Sequence, residues 1–175
     1  MRKLLLALVA LGAALASACT QIDHSPRAAP MAAEAKWALL PIVNHTDTPQ
    51  AGLRAEAITE GLLRSRGISS LLRYPPALNP ETLFEPGERK AQLEAEKWAR
   101  GEGVRYALYG AVDEWRYKVG IDGEPAVGVA ISVKDLASGE VVWSAVGGKS
   151  GWSREPLAGV AQKLIRELLA TAPIQ

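Results

Sequence analysis

The 175 residues include one cysteine, two histidines and one phenylalanine. A lone Cys19 excludes any disulfide within the chain, so the fold rests on packing, or on packing with assembly. His24 and His45 have no Cys, His or carboxylate at metal-ligand spacing, whereas a zinc site takes three or four ligands. No G-x-S-x-G elbow supplies a nucleophile. Gly147, Gly148 and Gly151 lack the lysine-serine pair of a phosphate loop, and Gly101-Glu102-Gly103 ends a helical pattern instead of opening one. Charge of one sign is not in excess either: 20 basic residues face 19 acidic ones. No nucleic-acid partner is expected from that balance. No apolar run reaches the ~20 residues of a membrane-spanning helix. These absences argue against an enzyme, a cofactor and a metal.

What the chain does have is an export signal ending at its cysteine. Arg2 and Lys3 precede an apolar run from Leu4 to Leu15, followed by Ala16, Ser17 and Ala18. That is the order of a bacterial signal peptide. A cysteine at the first mature position is the acceptor for lipoprotein acylation, although Ala16-Ser17-Ala18 also suits ordinary signal peptidase. Each buried CH₂ adds ~0.8 kcal/mol, and stable anchoring takes two or more chains, which an acylated Cys19 would carry. Thr20 follows where Asp would signal inner-membrane retention, so the expected location is the periplasmic face of the outer membrane. Loss of Arg2 and Lys3 leaves 18 basic residues against 19 acidic, a net charge of −1.

The expected organisation is a signal peptide over 1–18, the acylated cysteine and a tether over 19–35, and one globular domain over 36–175. The tether contains Pro26, Pro30 and several alanines. Fully extended at ~3.3 Å per residue, it would reach ~50 Å.

Within the domain, Trp37 to Val43 is a short apolar run typical of a strand buried on both faces. Leu53, Ala57, Ile58, Leu62 and Leu63 recur at helical spacing before Gly67, a C-terminal cap. Ile68 to Tyr74 reads as a second strand, and Ala91, Leu93, Ala95 and Trp98 lie in a second helix that ends near Gly101 or Gly103. Val104 to Lys118, Ala126 to Lys134 and Val141 to Val146 read as three strands, with Asp122-Gly123 and Ser138-Gly139 at their turns. Val127, Val129, Ile131 and Val133 alternate with small or polar residues, so one face is buried. Ser153 suits the cap of a last helix whose Leu157, Val160, Ala161, Leu164, Ile165, Leu168 and Leu169 form one stripe. The order β-α-β-α-β-β-β-α defines an α/β class (an α+β sandwich), one mixed sheet packed by helices.

Five tryptophans are many for one small domain. Trp37, Trp98 and Trp143 fall in regular elements and suit a core, and Trp115 is ambiguous. Trp152 falls in a glycine-rich stretch, 147–153, read as a flexible loop. There it either folds back over the last helix or meets a partner, a headgroup region or a saccharide ring. Asp122 and Glu124 form an acidic hairpin tip, which a symmetric oligomer would repeat into a concentrated negative surface. Asn44 to Asp47 reads as a loop closed by its own side chains.

Trp37-Ala-Leu-Leu-Pro-Ile-Val-Asn-His-Thr46, the helix start from Ala51 to Ile58, Tyr106-Ala-Leu-Tyr-Gly110 and Gly147 to Leu169, in that order, resemble the PelC family. These are periplasmic lipoproteins of Pel exopolysaccharide export. The scaffold is also similar to the amino-terminal domain of TolB and to the periplasmic domain of CsgG. The resemblance implies a homo-oligomeric ring beneath the outer-membrane β-barrel porin PelB, tied to the membrane through Cys19. It further implies that Trp152 belongs to a membrane-proximal aromatic belt. Asp122 matches an acidic residue on the opposite rim, with Glu124 beside it, facing a cationic polysaccharide. A second reading is a monomeric TolB-like regulatory lipoprotein docked on a periplasmic envelope enzyme. A hydrolase is disfavoured by the missing catalytic residues.

Overall fold

A computed structural model describes residues 20–26, 28–75, 78, 88–120 and 123–175. The elements run β1 Thr20–His24, β2 Trp37–Asn44, α1 Ala51–Ser65, β3 Leu71–Arg73, α2 Glu88–Gly101, β4 Tyr106–Tyr117, β5 Pro125–Asp135, β6 Val141–Ser150 and α3 Leu157–Ala170. They form one six-stranded sheet in the order β1-β6-β5-β4-β2-β3. The β2–β3 and β2–β4 pairs are parallel, and the remaining pairs are antiparallel. The expected class and the order of the eight expected elements hold.

Helices α1 and α3 cover one face over a core that includes Trp37, Leu39, Leu63, Leu108, Val129, Ile131, Trp143, Leu164 and Leu168. Helix α2 covers part of the other face through Ala95 and Ala99 on Ala38, Leu40 and Ala107. The alternation in β5 appears as expected, with Val127, Val129, Ile131 and Val133 buried. Trp37 and Trp143 are fully buried, and so is nearly all of Trp115. Their burial is compatible with polarity where a partner exists: Trp37 Nε1 donates to the Ala32 carbonyl at 2.9 Å.

Central strand β2 contains Pro41, which offers no ladder N–H, and its pairing with β4 shifts between Leu39 and Ile42. The Ile42 N–H instead donates to Glu56 Oε1 at 3.0 Å, and Arg73 on the edge strand donates to Glu56 Oε2 at 2.8 Å. Glu56 is 4% exposed. The buried face of α1 therefore passes through Ala55, Glu56, Thr59, Leu62 and Leu63, while Ala57, expected in the apolar stripe, is exposed. Gly52 lets this helix approach, since a Cβ there would lie 2.1 Å from the Ile42 carbonyl oxygen.

Three expectations need correction. Residues 20–24 do not belong to a tether: Thr20–His24 adds an edge strand to β6, with Ile22 packed on the core. Gly147 makes room for it, because a Cβ there would stand 2.8 Å from Gln21 O and 3.1 Å from Ile22. Met31 is 1% exposed and bridges Ile174, so this part of the segment is docked against the carboxy-terminal residues. Secondly, 147–150 is strand and not loop. Thirdly, Pro156, not Ser153, occupies the N-cap position of α3.

Candidate functional site

Antiparallel pairing brings the start of β1, the end of β6 and the β4–β5 turn to one end of the sheet. Thr20 pairs with Lys149, and Ser150 with Ala126. Gly151 N–H donates to the Pro125 carbonyl at 2.9 Å, and Lys118 N–H to the Glu124 carbonyl at 2.7 Å. Cys19, which precedes Thr20 in the chain, and Asp122 lie outside the described residues. Their described neighbours Thr20 and Glu124 share this end with Trp152.

Trp152 is 60% exposed, so it does not fold back over α3. The short loop presenting it is tightly bonded. The Trp152 N–H donates to Glu155 Oε2 at 3.1 Å, while the Glu155 N–H returns to the Trp152 carbonyl at 2.9 Å. Lys163 donates to the other Glu155 oxygen at 2.5 Å. Tyr117 Oη donates to the Glu155 carbonyl at 3.3 Å and accepts the Leu157 N–H at 3.1 Å. Lys163, and then the Trp152 N–H, hold the Glu155 carboxyl below the usual carboxylate range. Arg154 sits at φ 66°, a left-handed conformation uncommon outside glycine. The aromatic ring is thus exposed on a pre-organised turn. Sequence reading missed this clamp because Glu155 and Lys163 meet only after the chain turns into α3.

Glu124 is exposed, with its carboxylate 3.8 Å from Lys118 Nζ. That cation offsets part of its charge. Within the protomer Glu124 lies beside the Trp152 loop, because the hairpin is rooted at the aromatic end. Ordinary hairpin geometry explains this, since β4 ends and β5 begins where β6 runs out.

His45 Nδ1 lies 2.9 Å from Asp113 Oδ1, exposed at the same sheet end. The loop that carries it closes as expected through side chains: Asn44 Oδ1 accepts the Thr46 N–H at 3.1 Å, and Thr46 Oγ1 accepts the Thr48 N–H at 3.2 Å. Among the described residues, no group of three or more His, Cys, Asp and Glu could hold a metal ion. Among them, too, no helix is long and apolar enough to cross a membrane.

These features define a small three-layer α/β domain that presents an aromatic turn beside its amino-terminal strand. No family model matches the chain, and no curated protein sequence does. Solved structures do. A PelC dodecamer from Paraburkholderia phytofirmans is 38% identical, with a TM-score of 0.74, over 90% of this chain and all of that one. A dodecamer of a PelC variant with one Leu-to-Met substitution, from the same organism in another crystal form, is 39% identical, with a TM-score of 0.72, over 86% of this chain and 96% of that one. A lipoprotein from Neisseria meningitidis shares the fold at 20% identity and a TM-score of 0.55, over 78% of this chain and 96% of that one. The chain belongs to the PelC family.

Proposed function

We propose that this PelC-family chain is a non-enzymatic accessory lipoprotein of Pel exopolysaccharide export, working in the periplasm as a homo-oligomeric ring. The observation that carries this reading is 38% identity across 90% of the chain to a PelC dodecamer. Residues 1–18 are removed on export, and acylated Cys19 holds the ring on the outer membrane. Trp152, exposed on its clamped turn, contacts the headgroup region or the porin PelB. Asp122 and Glu124, repeated around the ring, attract a cationic polysaccharide and steer it to the pore. Each exposed charge contributes only ~0–1 kcal/mol. Many copies acting on one polymer gain through effective concentration.

Native mass measurement on the detergent-extracted protein tests the assembly: a ring supports the reading, while a monomer supports the regulatory-lipoprotein alternative. Trp152→Ala should reduce membrane or porin association without abolishing the ring. Polymer retention should weaken with Asp122→Asn and with salt, which screens over ~8–10 Å at physiological strength. Retention indifferent to both would remove the steering role.

A further inference from the structure

Among the described residues, no helix lies over half of the sheet face opposite α1 and α3. Following the pairings across the strands, Asp23, Val146, Ala130, Ala111 and Val43 form one row on this face. Gln21, Gly148, Gly128 and Glu114 form the next. Directly paired residues project to the same side of a sheet. The floor is therefore glycine, alanine and valine, and a groove of about 620 Å³ opens over it between Asp23 and Glu114. Val146 in its centre is 48% exposed. Of the charged groups lining it, Glu114 pairs with Arg116 at 2.9 Å, Lys118 with Glu124 at 3.8 Å and Lys149 with Glu167 at 2.8 Å, whereas Asp23 has no ion pair among the described residues and is the rim's uncompensated charge.

The outer surface of the α1–α3 layer is its counterpart. Arg54, Ala57 and Gly61 are exposed along α1, and Ala158, Gln162 and Arg166 along α3. These spacings of three and four residues set each trio on one ridge. The carboxylates here are engaged: Glu60 by Arg64, Glu155 by Lys163 and Glu167 by Lys149. Arg54 and Arg166 have no ion pair among the described residues, which leaves this surface positive.

We propose that the bare sheet face of one protomer receives the α1–α3 surface of a second copy of this chain, with Asp23 facing the Arg54–Arg166 side. The two surfaces lie on opposite faces of one protomer. Contact between them is head-to-tail, and such contacts close into rings when the rotation per subunit permits. Two copies of the bare face cannot meet in this arrangement, because neighbours in a ring differ by a small rotation and not by a half-turn. Small side chains on both surfaces let backbones approach, and the opposite charges set the register. The proposal rests on the ring reading above and adds which surfaces make the ring.

The test is the oligomeric state of full-length acylated protein in detergent, by light scattering and native mass, with circular dichroism to follow folding. Gly148→Trp fills the groove, and among the described residues a Cβ at this position meets nothing closer than 3.8 Å. It should shift assembly to at least about tenfold higher protein concentration while the domain stays folded. Asp23→Arg and Arg166→Glu should each do the same, and the double reversal should restore the ring. If the unmutated protein is a monomer, the ring reading fails and this inference falls with it. If it is a ring and the folded variants all assemble normally, the ring stands and this interface is wrong. The interface is equally wrong if the variants keep the ring but lose polymer retention, since the face would then belong to the polysaccharide.

Discussion

Lys149 Nζ donates to Thr20 Oγ1 at 2.7 Å and to both oxygens of the Glu167 carboxylate at 2.8 and 3.0 Å. The residue after the candidate acylation site is thereby fastened to the last helix. No slack follows Thr20 until the chain has joined the sheet, so an anchor at Cys19 would hold the domain against the bilayer instead of ~50 Å away, the reach of an extended tether.

Inserting ten Gly/Ser residues between Cys19 and Thr20 should therefore leave the protein membrane-bound but lower polymer export. Such a linker adds a root-mean-square reach of roughly 17 Å, enough to lift an aromatic turn out of the headgroup region. Fractionation and export assays read the two effects separately. Unchanged export would show that close apposition is not needed.

Gly147→Val should undock β1 while the core persists. The added side chain would enter space held by Gln21 O, Ile22 and Leu168. Limited proteolysis should cut residues 20–26 faster, with little change in far-ultraviolet circular dichroism. An unaltered cleavage pattern would mean that β1 does not depend on this gap.

Glu56→Ala should destabilise the domain by about 2–4 kcal/mol in urea unfolding, because Arg73 loses its nearer carboxylate, keeping only Glu60 at 3.8 Å, and the Ile42 N–H is left buried without an acceptor. Glu56→Gln keeps an acceptor and should cost less. Equal losses for the two variants would point to packing and not to the carboxylate.

The Trp152 turn should loosen on acidification. The folded Glu155 pKa lies below its ordinary value, so its contribution to the turn is complete above that value. It is lost as pH falls through the lower, folded pKa. The Trp152 indole resonance in a nuclear magnetic resonance titration should report the change. In Glu155→Gln the resonance should not titrate and should start from a looser turn. A resonance that titrates identically in both proteins would break the assignment.

The α/β class and eight of the nine described elements were legible in the sequence, because apolar period and turn residues act locally. The valines of β5 and the stripe of α3 state their buried faces without help from the rest of the chain. Glu56 was not legible, since a carboxylate on the inner face of α1 makes sense only beside the bulge at Pro41 and the guanidinium of Arg73. Strand β1 was hidden for a related reason. Thr20–His24 contains one apolar residue, Ile22, and only the gap at Gly147 and the open edge of β6 turn it into a strand.

By itself the chain determined an export-signal pattern that ends at its single cysteine and the periodicities that make a mixed sheet with helices. Tertiary structure decided that Thr20, Trp152 and Glu124 share one end, that the supposed tether is partly sheet, and that the described helices leave one sheet face half uncovered. Those outcomes depend on strand pairing between distant segments. Hydrogen-bond register and the space left by a neighbour's missing side chain have no period within any one stretch of sequence.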